Sequence, residues 1–484
     1  MADSGEGFDA AAAAALTKAL RTSFASGKTR SYEWRVSQLQ SLMKMCVENE
    51  NEILDALTKD LAKPTAESVL YEVGFLQNAC SLALKELKKW MRPEKVKSTL
   101  ALFPSSAEIV PEPLGVVLII APWNYPFILC FDPIVGAVAA GNTVVLKPSE
   151  IAPATSLLVA KLVAKYMDGS CIRVVEGSVA ETSALLEQKW DKIFYTGSTN
   201  VGRIVMTAAA KHLTPVVLEL GGKSPVVVDS NINFQVTARR IIAGKWGLNC
   251  GQACIAPDYV LCTEENASTL VDVLKNELER FFGQDMLASK DMSRIVNPRN
   301  FSRVAKLLDD EKVCDKIVYG GQMDKDSLRI SPTILLDVPR DSLIMGEEIF
   351  GPLLPIVLVD TIDDCFEVIS SGAKPLAAYL FSNDKKLQRR FVEEISAGAV
   401  VINDTAVHLS VLSLPFGGVG DSGMGSYHGR FSFDAFSHKK AVAYRSFIGD
   451  ASMRYPPYTT RKLNLLKAVL RGHLWGILRA FFGL

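Results

Sequence analysis

The 484 residues carry no net charge, because 53 lysines and arginines are balanced by 53 aspartates and glutamates. Without a positive field there is nothing to gather nucleic acid, so the expected partners are small molecules and further copies of the chain. The nine cysteines, at 46, 80, 130, 171, 250, 254, 262, 314 and 365, include no Cys-x-x-Cys pair. An odd, scattered set excludes a disulfide framework and points to a reducing compartment. Only five histidines occur, and none stands at ligand spacing from a cysteine or another histidine, so no metal is expected. Asp3, Glu6 and Asp9 precede the first base, Lys18. That balance is wrong for a transit peptide and lacks a signal-peptide charge pattern, which makes the cytoplasm the expected location.

What is present suits a large folded protein. With 48% hydrophobic and 22% charged residues the chain can bury a sizeable core, and its length calls for two or more packed units. Helical apolar spacing over residues 10–60 and from about 66 to 92 gives way to short β-branched runs alternating with helices. Strands are expected at 116–121, 143–147, 172–175 and 192–196, with helices at 133–140, 153–166, 179–186 and 201–210. Past Pro225 the alternation resumes with helices at 234–246, 265–282 and 362–369 and strands at 258–262, 355–359, 376–381 and 399–403. This pattern predicts parallel sheets buried on both faces. The β-rich pieces at 98–110 and 441–447 have no helices beside them and read as exposed arms.

Four stretches carry chemistry. Gly251-Gln-Ala-Cys-Ile-Ala-Pro257 offers a thiol, and Leu218-Glu-Leu-Gly-Gly-Lys223 a carboxylate. Glu347-Glu-Ile-Phe-Gly-Pro352 adds a second carboxylate beside an aromatic, and Pro122-Trp-Asn-Tyr-Pro126 a side-chain amide. A thiolate can attack an aldehyde carbonyl to give a thiohemiacetal, whose carbon then expels hydride and leaves a thioester. Such a reaction needs donors on the developing oxyanion and a base to activate hydrolytic water. No histidine or lysine adjoins Cys254 in sequence, so its thiolate must be held by spatial neighbours, backbone amides or a cationic nicotinamide.

In their order these motifs, together with Lys147-Pro-Ser-Glu150, Thr196-Gly-Ser-Thr-Asn-Val-Gly202 and Leu414-Pro-Phe-Gly-Gly-Val-Gly420, resemble class 3 aldehyde dehydrogenases, most closely the plant branch, from about Leu20 to Phe447. The resemblance implies an α/β fold with a Rossmann-like cofactor domain (1–92 and 119–220), a second α/β catalytic domain (221–415) and β oligomerisation arms (93–118 and 430–449). Residues 450–484 form an amphipathic tail outside the match. The implied catalytic residues are the nucleophile Cys254, the oxyanion donors Asn124 and the Cys254 backbone N–H, and Glu219 or Glu348 as base. The cofactor would lie on Trp123, Lys147, Glu150, Gly197, Ser198, Gly202, Leu220, Glu348 and Phe350.

NAD is the expected cofactor and NADP the alternative, because a carboxylate at Glu150 repels a 2′-phosphate. Gly197–Gly202 lacks the Gly-x-Gly-x-x-Gly fingerprint, so its placement on a pyrophosphate follows from the resemblance alone. The Gly221-Gly222 pair and Lys223 are expected to set a tight turn. Tyr125, Trp246, Val411 and Leu412 are candidate walls of an apolar tunnel, with core packing as the competing reading. Cys250 reads as a spectator or, alternatively, as a redox partner of Cys254. The implied function is oxidation of medium- to long-chain or lipid-derived aldehydes to carboxylic acids by a homodimer. Acylating or semialdehyde chemistry is the alternative within the superfamily, and a thiol hydrolase the alternative from another class.

In the tail, Leu466, Val469, Leu470, Leu474, Ile477, Leu478 and Phe481 recur at helical spacing among Lys462, Lys467, Arg471 and Arg479. The charges interrupt any span of about 20 apolar residues. Peripheral membrane contact and packing on the protein itself are the two readings.

Overall fold

A computed structural model describes residues 8–97, 105–448, 450, 452–471 and 475. Two compact units are present: one over Met1–Glu86 and Leu114–Phe436, the other over Leu87–Pro113 and Ser437–Leu484.

The larger unit holds two large sheets and a two-stranded ribbon of Met323–Asp324 and Arg329–Ile330, and the two large sheets follow from runs of aliphatic residues buried on both faces. In the first, Val116–Ile120 lies between Lys192–Thr196 and Thr143–Lys147, with Val216–Glu219 and Ile172–Val174 outside them, all parallel. Gly423–Met424, from far along the chain, closes one edge antiparallel to Val216–Glu219. The second sheet has seven strands, in the order Ile317–Tyr319, Thr333–Leu336, Leu353–Val359, Tyr259–Thr263, Pro225–Val228, Ala377–Phe381 and Ala399–Ile402. Only its first strand runs antiparallel. Crossover helices cover both sheets, as parallel connection requires. Their starts are written locally: Ser198 accepts from the Val201 N–H to cap Thr199–Ala210, and Asn233 accepts from the Val236 N–H to cap Phe234–Lys245.

Several expected boundaries move. Residue 118, expected to end an arm, falls inside the buried strand Val116–Ile120, and residue 430 falls inside the helix Gly429–Ala435. The 133–140 helix begins five residues earlier, at Ile128, and keeps Pro133 in its second turn, where it cannot donate the helical bond to the Leu129 carbonyl. Strands Pro225–Val228 and Thr333–Leu336 and the helices Pro298–Leu308 and Lys385–Glu394 were not foreseen. Those strands are short apolar runs buried almost throughout, which carry no alternation and are not told from a buried helix by period.

The smaller unit contains an antiparallel sheet of Glu94–Val96, Ser106–Pro113 and Ser437–Tyr444. Its arms are therefore shifted from 98–110 and 441–447, and 98–104 lies outside the described residues. In the tail, Thr460–Leu470 is helical. The expected helical positions Leu474, Ile477, Leu478 and Phe481 lie outside the described residues.

Candidate active site

Cys254 stands where two pockets of the larger unit meet. One is apolar, and the other is a cleft beside the N-terminus of Thr199–Ala210; Asn124, Thr196, Glu219 and Cys254 line both. A residue shared by both pockets is reachable from the apolar side and from the cleft at once.

The loop that carries the thiol is bent by three consecutive left-handed residues, Asn249, Cys250 and Gly251, at φ 48°, 53° and 80°. Left-handed backbone is unfavourable for side-chain-bearing residues and persists only where surroundings enforce it. Here the Gln252 side chain enforces it, donating to the carbonyls of Asn249 (3.1 Å) and Arg294 (2.9 Å) and accepting from the Val296 N–H (3.1 Å). A Cβ on Gly251 would meet the Gly351 carbonyl oxygen at 2.2 Å, so only glycine fits. The Tyr379 hydroxyl donates to the Ile255 carbonyl and pins the other side of the nucleophile.

Burial pushes the Cys254 thiol up, and Glu348 and Glu219 push it further. The backbone N–H groups of Cys254 and Ile255 oppose them. Of the stabilisers expected for the thiolate, the structure thus supplies backbone amides. Cys250 is 1% exposed and lines neither pocket, whereas Cys254 is partly exposed where the two pockets meet, so a substrate reaches Cys254 and not Cys250. That favours the spectator reading.

Glu219 ends the strand Val216–Glu219, is 2% exposed, and neither carboxylate oxygen has a hydrogen-bond partner. Burial raises its pKa well above 4.5. Glu348 lines the cleft only, and burial, then Asp258, raise it to about 8 against the opposing Gly222 N–H. Its segment is fixed by Asp258, which accepts from the Ile349 N–H at 2.9 Å.

Lys223 does not set a turn. Its ammonium donates to Asp258 and to the carbonyls of Ile344 and Glu347, tying together the segments that bear both glutamates. Gly222, at φ 143°, makes the turn; Gly221 allows close approach, since a Cβ there would meet the Glu348 carboxylate at 2.4 Å.

Asn124 is buried, and its side-chain amide donates to the Gln252 carbonyl at 3.0 Å. The amide nitrogen carries two hydrogens, so one remains for an oxyanion. What holds Asn124 was not apparent in the sequence. The buried Lys63 ammonium donates to the Asn124 carbonyl (3.0 Å) and to Glu72 (2.5 Å), and lies 3.8 Å from the Tyr125 ring centroid. Glu72 also accepts from the N–H groups of Phe127 and Ile128, while Glu67 accepts from the Asn249 N–H (2.8 Å) and the Tyr125 hydroxyl. Side chains five apart on an α-helix point about 140° from each other. A π-helical turn at Val69–Val73 alters that spacing, so Glu67 and Glu72 serve the same site. The available signal was two acids, Glu67 just before and Glu72 within the apolar stretch Val69–Leu76.

Replacing Lys63 by methionine would leave Glu72 as an uncompensated buried charge. The expected loss is about 3–5 kcal/mol of stability, read as a lower unfolding midpoint by calorimetry. An unchanged midpoint would remove the network from this account.

The cleft suits a dinucleotide. The positive end of the Thr199–Ala210 helix borders it and suits an anion, and Trp123 and Phe350 form an edge-to-face pair with centroids 5.3 Å apart. Of the expected cofactor residues, Trp123, Glu150, Gly197, Ser198, Leu220, Glu348 and Phe350 line it. Lys147 and Gly202 do not. The Lys147 ammonium is engaged by the carbonyls of Pro148 and Gly177 and by Glu150 (2.7, 2.7 and 2.8 Å), so it orients Glu150. Gly202 faces Leu220, where a Cβ would meet a methyl at 2.8 Å, and its smallness serves helix packing.

Tyr125 lines the apolar pocket, but Trp246, Val411 and Leu412 do not. Trp246 is a core residue whose indole donates to the Pro352 carbonyl at 2.7 Å, and Val411 is exposed. Among the described residues no cluster could hold a metal ion, and no helix is long and apolar enough to cross a membrane.

The aldehyde dehydrogenase family model matches residues 3–442. Aldehyde dehydrogenase family 3 member H1 of Arabidopsis thaliana is 62% identical over 477 residues, covering 99% of both chains. The dimeric NADP-preferring aldehyde dehydrogenase of Rattus norvegicus is 47% identical, over 91% of this chain and 96% of its own. A solved structure, the substrate-bound state of Staphylococcus aureus AldH, superposes with TM-score 0.92 at 42% identity, over 94% of this chain and 99% of that one. An intact thiol, amide and carboxylate set at a two-pocket junction agrees with all three, and the chain belongs to the aldehyde dehydrogenase family, in its class 3, oxidising aldehydes with NAD or NADP.

Proposed function

We propose that the protein oxidises medium- to long-chain aliphatic aldehydes to carboxylic acids, with Cys254 as nucleophile. The observation that carries this is the apolar pocket at Cys254, walled by side chains such as Phe75, Ile128, Leu129, Leu248 and Phe416. Each buried methylene contributes about 0.8 kcal/mol. Catalytic efficiency should accordingly rise about three- to fourfold per methylene along an n-alkanal series until the pocket is filled. Reduced nicotinamide formation followed by absorbance measures this. A flat series would sink the reading, and turnover that requires coenzyme A would favour acylating chemistry.

Within that reading, Sγ bonds to the carbonyl carbon while the Asn124 amide holds the oxygen. Bound nicotinamide supplies the acceptor for the hydride that leaves this carbon. Glu219, unpaired and lining both pockets, takes the proton of the water that hydrolyses the thioester. Glu348 and Phe350 orient the nicotinamide side of the cleft, Ser198 and Trp123 hold the pyrophosphate, and Glu150, steadied by Lys147, meets the adenine-side ribose. A carboxylate there repels a 2′-phosphate, so the same assay should show higher efficiency with NAD than with NADP.

The strand Ser437–Tyr444 hydrogen bonds along one edge to Ser106–Pro113. Its place at the edge of the sheet supports pairing with a second subunit as a homodimer, and sedimentation should give a species near twice 52.8 kDa. A monomer would contradict it. The helix Thr460–Leu470 exposes Leu463 and Leu470 among Lys462, Lys467 and Arg471. This composition supports peripheral contact with anionic membranes, which fails if deletion after Phe447 leaves vesicle flotation unchanged.

A further inference from the structure

We propose that Glu67 is a positioning residue for thioester formation: it locks the segment carrying Asn124 to the loop carrying Cys254, so that both oxyanion donors are fixed before the aldehyde arrives. This rests on the reading that Cys254 attacks the aldehyde while the Asn124 amide holds its oxygen.

The two donors come from places far apart in the chain. Asn124 follows the strand Val116–Ile120, and the Cys254 N–H lies just past the bend at Asn249, Cys250 and Gly251. Asn249 joins them. Its side-chain amide donates to the Asn124 carbonyl at 2.8 Å, and its own carbonyl accepts from the Gln252 side chain at 3.1 Å. The Gln252 carbonyl in turn accepts from the Asn124 side chain at 3.0 Å, which closes a ring of bonds between the two segments. Asn249 serves this ring from a left-handed backbone, at φ 48°, a conformation that needs outside support.

Glu67 supplies that support from the helical turn Thr65–Ser68. One oxygen of its carboxylate accepts from the Asn249 N–H (2.8 Å) and from the Tyr125 hydroxyl (3.2 Å), and the other accepts from the Ser293 hydroxyl (3.3 Å). A single carboxylate thus holds the residue after Asn124 and the first residue of the bend before Cys254. Glu67 is 7% exposed and Asn249 fully buried, so solvent scarcely competes for these bonds. Burial raises Glu67 to about 6, with Lys63 and the Asn249 N–H opposing, and the group is ionised at neutral pH. Bonds to a charged acceptor are about twice as strong as neutral ones. Glu67 lines neither the apolar pocket nor the cleft, so its effect passes through the donors and not through contact with aldehyde or dinucleotide.

Oxyanion donors act because they need not move as charge develops, and misplacement by about 1 Å can cost about 10²-fold. The test is the single-turnover rate constant for reduced nicotinamide, read by stopped flow with saturating full-length protein over n-alkanals and saturating NAD. Glu67→Leu keeps the volume and removes the acceptor. It should lower that rate constant about 10- to 100-fold, equally along the aldehyde series, with KM for NAD unchanged. Glu67→Gln keeps an acceptor oxygen for the Asn249 N–H and should return the rate constant to within about threefold of the wild type. If Glu67→Leu fails to fold, Glu67→Asp, which withdraws the acceptor by one methylene, should show the slow turnover in its place. An unchanged rate constant in the folded Leu or Asp variant overturns the assignment, as does a change confined to KM for NAD. An equal loss in Glu67→Gln also overturns it, by tracing the effect to charge. Failure of the wild-type protein to oxidise any aldehyde overturns the underlying reading instead.

Discussion

Cys254→Ala should lower kcat/KM for aldehyde oxidation by about 10⁴-fold or more, with the unfolding midpoint essentially unchanged. Removing the nucleophile of a covalent mechanism removes the path itself, and what survives is the residual effect of positioning and oxyanion binding. Cys254 is partly exposed at the junction of two pockets, so deletion of its sulfur opens no new cavity in the core. A stopped-flow record of reduced nicotinamide should therefore lose both the initial burst and the steady rate. Turnover at the wild-type rate would refute the covalent mechanism.

The two glutamates should separate in kind rather than in degree. Glu219→Gln is expected to retain a burst of about one equivalent of reduced nicotinamide and then slow by about 10² to 10⁴-fold, because thioester forms but its hydrolysis lacks a base. Glu348→Gln should instead raise KM for NAD and weaken the burst, since Glu348 lines only the cleft and meets Gly221 and Gly222. The reverse pattern would exchange their roles. The pH dependence has a defined sign. A base works only when deprotonated, and burial raises Glu219 well above 4.5. Steady-state kcat should rise with pH through a limb far above the ordinary glutamate range, and Glu219→Gln should flatten that limb. A limb near 4.5 in the unmodified enzyme would contradict a buried base.

These tests concern residues that differed in how far they could be read from the chain. Cys254, Glu219, Asn124 and Glu348 sit in short motifs whose order alone picked them out, and the structure brings Cys254, Glu219 and Asn124 to the same pocket junction, with Glu348 in the adjoining cleft. Residues doing similar service without a motif stayed hidden. Lys63, Glu67 and Glu72 lie more than fifty residues before Asn124, on a segment whose π-turn no periodicity announces. Lys147 and Gly202 share motifs with residues that line the cleft but do not line it themselves, because motif membership does not say which way a side chain faces.

Local chemistry in the chain determined the alternation of strands and helices, the thiol with its carboxylates, and thus the class of reaction. These depend on neighbours within a few residues, where apolar runs, caps and motif spacing act directly. Which pocket each side chain enters and how far each glutamate's proton affinity climbs were decided by the tertiary structure. Burial and distant charges set those quantities, and both are properties of the packed molecule that no stretch of sequence contains.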